Sequence, residues 1–382
     1  MSSIRKITVI GSGTMGHGIA QVSAMAGYSI SLRDVEQKFL DSAIAKIKWS
    51  LEKLFQKQKI SEMEMQNILG RIQLTTDLKE GLHNSDLVIE AVPEDLVLKK
   101  KVYEGIDEFA ESKTLYASNT STLPITEIAS LTSRPDRFIG LHFFNPPQLM
   151  QLVEVIPGKE TKTNIVDNAM SFIRSLGKQP ILCRKDVAGF IINRIFIPLV
   201  HEAAYCLERD HTSLVAIDSA VKEKMKFPMG IFELADYTGL DVIYKATMEM
   251  YSRDKRVVNP HPIIQKLFEE GKYGQKSGSG FYEYKNEQYE RINVPTSDIQ
   301  QYDPIKLVAF AANNAGWLIS NGACDETDLE KALKLGMGLK SELFGTVKSY
   351  GIESIVKTLR GLAQEYGSVY EPDQYLINNL RN

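Results

Sequence analysis

Residues 7–16 read Ile7-Thr8-Val9-Ile10-Gly11-Ser12-Gly13-Thr14-Met15-Gly16: an apolar, strand-like run closes on three glycines and opens into a helical pattern. Each glycine has a use in that setting. The first permits the tight turn, the second lets backbone approach a pyrophosphate, and the third lets the helix pack close to the strand. The helix start adds amide donors and the positive end of a dipole. A second strand is expected at 28–33 with Asp34 at its end, where a carboxylate accepts hydrogen bonds from an adenosine ribose and repels a 2′-phosphate. The segment therefore reads as a dinucleotide site for NAD rather than NADP. FAD stays open, and the neighbouring Arg33 is a residue that accommodates such a phosphate. The bland alternative for Asp34 is a cap on the helix that begins near Glu36.

Working outward, strand-like runs at 5–10, 28–33, 86–91, 114–118, 138–143 and 151–156 alternate with helical patterns, among them 15–26, 36–58 and 97–111. Such alternation predicts a parallel sheet covered by helices on both faces. From Ala188 to Leu267 apolar residues recur at three and four, the period of helices. Lys285 to Pro304 reads as a linker, after which helical periodicity resumes. The predicted architecture is α/β: a Rossmann-like dinucleotide-binding domain at 1–184, followed by two tandem all-α domains at 185–290 and 304–382. The two helical stretches resemble each other. Glu202 to Ala220 lies over Asn314 to Ala332 without a gap; Pro228-Met229-Gly230 is laid on Gly336-Met337-Gly338 after a small shift, and Gly239 on Gly351.

Composition narrows the function. The chain has 382 residues, 43% hydrophobic and 24% charged, with a formal charge of −3, which excludes extensive disorder and gives no cationic surplus for a nucleic-acid backbone. Three scattered cysteines and six histidines give neither a disulfide framework nor a zinc pattern, so no metal is expected and a reducing cytoplasm is. The first strand begins at once, which leads to the expectation of no leader peptide. The most apolar run, Phe190 to Val200, is too short to cross a bilayer.

Two further stretches carry chemistry. Phe138 to Phe143 is a strand ending at His142-Phe143-Phe144-Asn145-Pro146, and Gln151 to Ile156 is a strand bearing Glu154. If the second folds back beside the first, His142 and Glu154 fall opposite one another, and a carboxylate that fixes the imidazole leaves its other nitrogen to take a hydroxyl proton. The alternative is a hydrogen-bonded strand histidine beside a partly exposed acid. Ser118-Asn119-Thr120-Ser121-Thr122 lies where ligands bind in open α/β sheets; its hydroxyls either hold a substrate oxygen or cap the helix near Pro124. Asn193 sits in an apolar helix, either bonded to nearby backbone or pointing into a cleft.

Together these residues resemble the L-3-hydroxyacyl-CoA dehydrogenase family, including the 3-hydroxybutyryl-CoA dehydrogenases. The carriers are Gly11 to Gly16, Glu90 to Glu94, Ser118 to Ser121, His142 to Pro146, Leu152 to Val155, Gly189-Phe190 with Asn193-Arg194, Phe227 to Gly230 and Gly274 to Tyr282. The resemblance implies that His142 is the general base, Glu154 its orienting partner, and Ser121 and Asn193 the groups that hold the substrate. It puts Glu94, Lys99 and Asn145 near the nicotinamide half of NAD. Lys53 and Lys57, on a helix that also bears Lys46 and Lys48, are implied to meet the nucleotide end of coenzyme A, with a solvated charged face as the alternative.

Many relatives stop near Tyr282 and dimerise through their helical domain, whereas this chain carries a second, degenerate copy. The expectation is a monomer in which that copy replaces the dimer partner, with a homodimer as the alternative. Other functional readings are an enzyme resembling L-gulonate 3-dehydrogenase, a non-catalytic NAD-binding protein, and a serine hydrolase using Ser121 and His142.

Overall fold

The computed structural model describes residues 4–257, 259–284 and 302–379. The chain forms two compact units, residues 1–186 and 187–382, so both helical stretches fall in the second. Most of the stretch Lys285 to Pro304, read as a linker, lies outside the described residues.

In the first unit β1 (Lys6–Ile10), β2 (Ser29–Arg33), β3 (Ile72–Thr75), β4 (Leu87–Glu90), β5 (Leu115–Ser118), β6 (Phe138–Phe143), β7 (Leu152–Pro157) and β8 (Gln179–Leu182) form one sheet. Its order is β3-β2-β1-β4-β5-β6-β7-β8. Every neighbouring pair is parallel except β6 and β7. The sheet is thus mostly parallel, as the alternation predicts, and its one antiparallel pair is the fold-back that sets β7 beside β6, whose link is too short for a helical crossover. All six expected strands form. The two that the sequence pattern did not reveal, β3 and β8, are the edges.

Among the described residues, the α-helices that accompany this sheet are α1 (Thr14–Met25), α2 (Gln37–Gln56), α3 (Glu62–Gly70), α4 (Leu78–Leu82), α5 (Leu96–Phe109), α6 (Ile125–Ser130) and α7 (Thr163–Ser175). The core joins Ile7, Val9, Leu32 and Ile89 of the sheet to Ile19 and Ala20 of α1, Ile47 and Leu51 of α2, and Phe172 of α7. On α2 the buried residues are Leu40, Ala43, Ile47 and Leu51, a stripe at helical spacing that turns Lys46, Lys53 and Lys57 to solvent.

The second unit holds α8 (Ile192–Arg209), α9 (Leu214–Glu223), α10 (Ile231–Thr238), α11 (Leu240–Arg253) and α12 (Pro262–Glu269), then α13 (Ile305–Ser320), α14 (Glu326–Gly336), α15 (Leu343–Tyr350), α16 (Ile352–Tyr366) and α17 (Gln374–Asn379). From α9 and α14 onward each helix of the second set begins 112 residues after its counterpart (Leu214 and Glu326, Ile231 and Leu343, Leu240 and Ile352, Pro262 and Gln374). The shift invoked to align Gly230 with Gly338 is therefore wrong; Gly230 and Glu342 hold the same place, each capping the start of its helix.

Local devices repeat as well. Gly239 (φ 101°) and Gly351 (φ 81°) each end one helix and begin the next, a left-handed turn that favours glycine. Asp218 accepts from the amides of Phe232 and Glu233 at the start of α10, and Glu330 accepts from those of Leu343 and Phe344 at the start of α15. The two helix sets thus share both their spacing and their local hydrogen-bonding devices.

The two sets pack together through α8 and α13. The Arg194 guanidinium lies 3.5 Å from the centroid of the Trp317 ring. Glu202, 1% exposed, accepts from the Tyr370 hydroxyl at 2.5 Å and from Arg209 at 3.1 Å, while Arg209 also stacks on Tyr366. Among the described residues no helix is long and apolar enough to cross a membrane.

Candidate functional site

Antiparallel pairing of β6 with β7 sets His142 directly opposite Glu154. Their side chains meet, His142 Nδ1 lying 2.6 Å from Glu154 Oε2. Both are buried, the acid completely. A carboxylate only accepts, so Nδ1 carries the hydrogen and the ring's tautomer is fixed. The pair sits on the carboxyl half of β6, and the Phe144 ring packs 4.4 Å from the imidazole, centroid to centroid. The end of the strand is held by Asn119, whose side-chain oxygen accepts from the Phe143 amide at 2.9 Å.

The segment 118–122 leaves the carboxyl end of β5. Its hydroxyls do not cap α6. That helix is capped by Asp186, whose two oxygens take the Ile125 and Thr126 amides. Instead Glu94 gathers the loop: one oxygen accepts from the Thr120 hydroxyl at 2.5 Å and from the Ser121 amide at 2.8 Å. Lys99 holds Glu94 in turn, with Nζ 3.2 Å from Glu94 and 2.7 Å from Glu90. Burial works to raise the Glu94 carboxyl, but the Lys99 charge and the loop's hydrogen bonds outweigh it and hold it low. Burial likewise works to lower the Lys99 ammonium, and Glu90 and Glu94 hold it above the usual lysine value. Lys99 is 1% exposed, so its charge acts through Glu94. Ser118, whose hydroxyl donates to Glu90 at 2.6 Å, completes the cluster.

The turn at 11–16 has the shape its glycines predict. A Cβ on Gly16 would lie 1.7 Å from the Gly11 carbonyl oxygen, whereas one on Gly13 would meet nothing within 4 Å. No side chain caps α1, which leaves its first-turn amides, at Thr14, Met15 and Gly16, facing that open space. The residues present thus fit a dinucleotide pyrophosphate. Asp34 does not cap α2; its Oδ2 accepts from the Ser12 amide at 2.6 Å and hydroxyl at 2.7 Å, which ties the end of β2 to the glycine turn. The ionised carboxylate retains lone pairs for a ribose.

Asn145 is exposed at the head of the turn that leaves β6. Lys53 and Lys57 are exposed at the end of α2, Lys53 lying over the Trp49 ring at 5.7 Å. Asn193 belongs to the second unit and lies in the first turn of α8 rather than within it, because Gly189 (φ 78°) and Phe190 (φ 51°) turn the chain just before. The sequence pattern missed Glu90, Asn119, Asp186 and Lys178. Of these only Glu90, an acid closing an apolar strand, stands out in the sequence.

Residues 6–187 match the model of the 3-hydroxyacyl-CoA dehydrogenase NAD binding domain, and residues 189–284 that family's C-terminal domain. Human mitochondrial hydroxyacyl-coenzyme A dehydrogenase is 41% identical over 290 residues, spanning 74% of this chain and 92% of that protein. A probable 3-hydroxybutyryl-CoA dehydrogenase of Deinococcus radiodurans is 41% identical over 283 residues, 73% of this chain and the whole of that one. The crystal structure of 3-hydroxybutyryl-CoA dehydrogenase from Escherichia coli K12 superposes with a TM-score of 0.88 at 28% identity, covering 99% of this chain and 98% of that one.

Proposed function

Because this chain belongs to the 3-hydroxyacyl-CoA dehydrogenase family, we propose that it interconverts (S)-3-hydroxyacyl-CoA and 3-oxoacyl-CoA with NAD, on short chains such as 3-hydroxybutyryl-CoA and acetoacetyl-CoA. The observation that carries the chemistry is the buried His142–Glu154 pair. NAD, when bound, supplies the nicotinamide C4 that accepts hydride from the substrate's C3. His142 takes the proton of the 3-hydroxyl at Nε2, and Glu154 stabilises the imidazolium that forms; in the reducing direction the same nitrogen returns the proton. Burial strengthens that stabilisation, since the two charges face each other with little water between them.

Gly11, Gly13, Thr14, Met15 and Gly16 hold the pyrophosphate and Asp34 the adenosine ribose. Glu94, presented by Lys99, and Asn145 position the nicotinamide half. Ser121 and Asn193 hold the acyl end, and Lys53 and Lys57 meet the nucleotide end of coenzyme A. The three cysteines are buried and scattered along the sequence, in keeping with a reducing, cytoplasmic setting. The packing of α13 on α8 supports a monomer whose second helical set stands in for a dimer partner. A match that runs through both family domains favours the thioester over a sugar acid.

The test is NADH oxidation with acetoacetyl-CoA, repeated with NADPH and with a β-keto acid lacking coenzyme A. Turnover is expected with NADH and the thioester; none with that pair overturns the proposal.

A further inference from the structure

The turn between β6 and β7 is short, exposed at Asn145 and Leu149, and yet tied down from two sides. Within it the Leu149 and Met150 amides both donate to the Pro146 carbonyl, which leaves the Pro147 and Met150 carbonyls to find donors elsewhere. One side is α1. Gln148 donates to Gln21 at 3.2 Å, and Gly18 lies so close that a Cβ there would sit 2.9 Å from the Pro147 ring.

The other side is a single lysine. Lys178 follows Gly177 (φ 72°), which ends α7 and turns the chain into β8. Its Nζ donates to the Pro147 carbonyl and to the Met150 carbonyl, each at 2.6 Å, and the residue is 5% exposed. Burial alone pushes the ammonium down to about 8, so among the described residues no carboxylate offsets its desolvation. Burying a cation against neutral carbonyls is costly. The arrangement does give charge-assisted bonds, roughly twice as strong as neutral ones, at the two ends of one turn.

We propose that Lys178 is a positioning residue for hydride transfer: by clamping the carbonyls of Pro147 and Met150 it fixes the turn that carries Asn145 beside His142, and so sets the fit of the nicotinamide half of NAD. The proposal rests on the assignment of Asn145 to that half of the cofactor. The lysine reaches no reacting atom. It acts through the backbone of the turn, and its loss affects cofactor fit before it affects the acyl substrate.

The experiment is a double-mutant cycle on the full chain, read by NADH binding in fluorescence titration, with thermal melting of each variant and steady-state kinetics beside it. Lys178→Met is expected to weaken NADH about tenfold, with the KM for acetoacetyl-CoA changed less than about twofold. Asn145→Ala is expected to weaken NADH to a similar degree, and the double variant to be no worse than about twofold beyond the weaker single variant. Losses that multiply in the double variant, or Lys178→Met binding NADH as the parent does, overturn the proposal. If Asn145→Ala alone binds NADH normally, the assignment of Asn145 fails, and the proposal fails with it for that separate reason. Should Lys178→Met not fold, Gly18→Ala pushes the same turn from the α1 side. Weakened NADH binding that does not multiply with Asn145→Ala supports the clamp, and unchanged binding overturns it.

Discussion

A histidine that only filled space would tolerate an amide in its place; one that moves a proton would not. His142→Gln is expected to reduce turnover at least about a thousandfold while NADH binding stays within about twofold, a split read by stopped turnover beside fluorescence titration. Glu154→Gln keeps the shape but removes the charge that steadies the imidazolium, and a loss of roughly a hundredfold or more in kcat is expected. Equal loss of cofactor binding in either variant contradicts the assignment. At this scale the sequence was informative where chemistry is encoded locally. His142 and Glu154 are twelve residues apart and face each other as soon as their strands pair, and the glycines at 11, 13 and 16 sit in one turn. It was silent on Asn119 and Lys178, because their partners, the Phe143 amide and the Pro147 and Met150 carbonyls, are backbone groups brought near by tertiary packing.

Strands were legible in proportion to how long an unbroken apolar run they make, because a strand buried on both faces has no polar side to alternate with. The six central strands read clearly. The two edges did not: β3 has four residues with only one fully buried, and β8 carries Pro180, which demotes a strand wherever a ladder amide is needed but is tolerated at an edge. The glycine-rich segment 274–284 was recognised by its residue types but not by what it does. Asp236 of α10 accepts from the Phe281 and Tyr282 amides and from the Tyr284 hydroxyl, and Gly274 and Gly280 are bare because a Cβ at either would collide with Asp236 at 2.2 Å. Asp236→Ala leaves three donors without an acceptor. It is expected to cost about 3 kcal/mol in urea unfolding, with Asp236→Asn nearer the parent because an amide oxygen still accepts.

Across the whole molecule, the packing of one helical set on the other leaves a signature in pH. Burial raises the Glu202 carboxyl to about 7, against the opposing pull of Tyr370 and Arg209. The folded chain therefore keeps a proton there that the unfolded chain gives up above its ordinary carboxylate value near 4.5. Stability falls as pH rises from about 4.5 to about 7, by up to roughly 3 kcal/mol from this group. Glu202→Gln is expected to flatten that part of the melting-temperature profile, and an unchanged slope refutes it. Ending the chain after Tyr284 uncovers Arg194, Glu202 and the apolar faces that α13 covers. The shortened protein is expected to self-associate in sedimentation equilibrium while the full chain stays monomeric. The register of the repeat could be seen in the sequence only in part: the overlay of Glu202 to Ala220 on Asn314 to Ala332 has the right offset, but Gly230 was laid on Gly338 because its counterpart, Glu342, is a different residue type. Since both helical sets come from a single polypeptide, each meets the other at an effective concentration on the order of millimolar, set by the intervening chain rather than by the solution. Two separate subunits drift apart when protein becomes scarce; these cannot, and specific activity is expected to hold level under dilution that would silence an enzyme built from two chains.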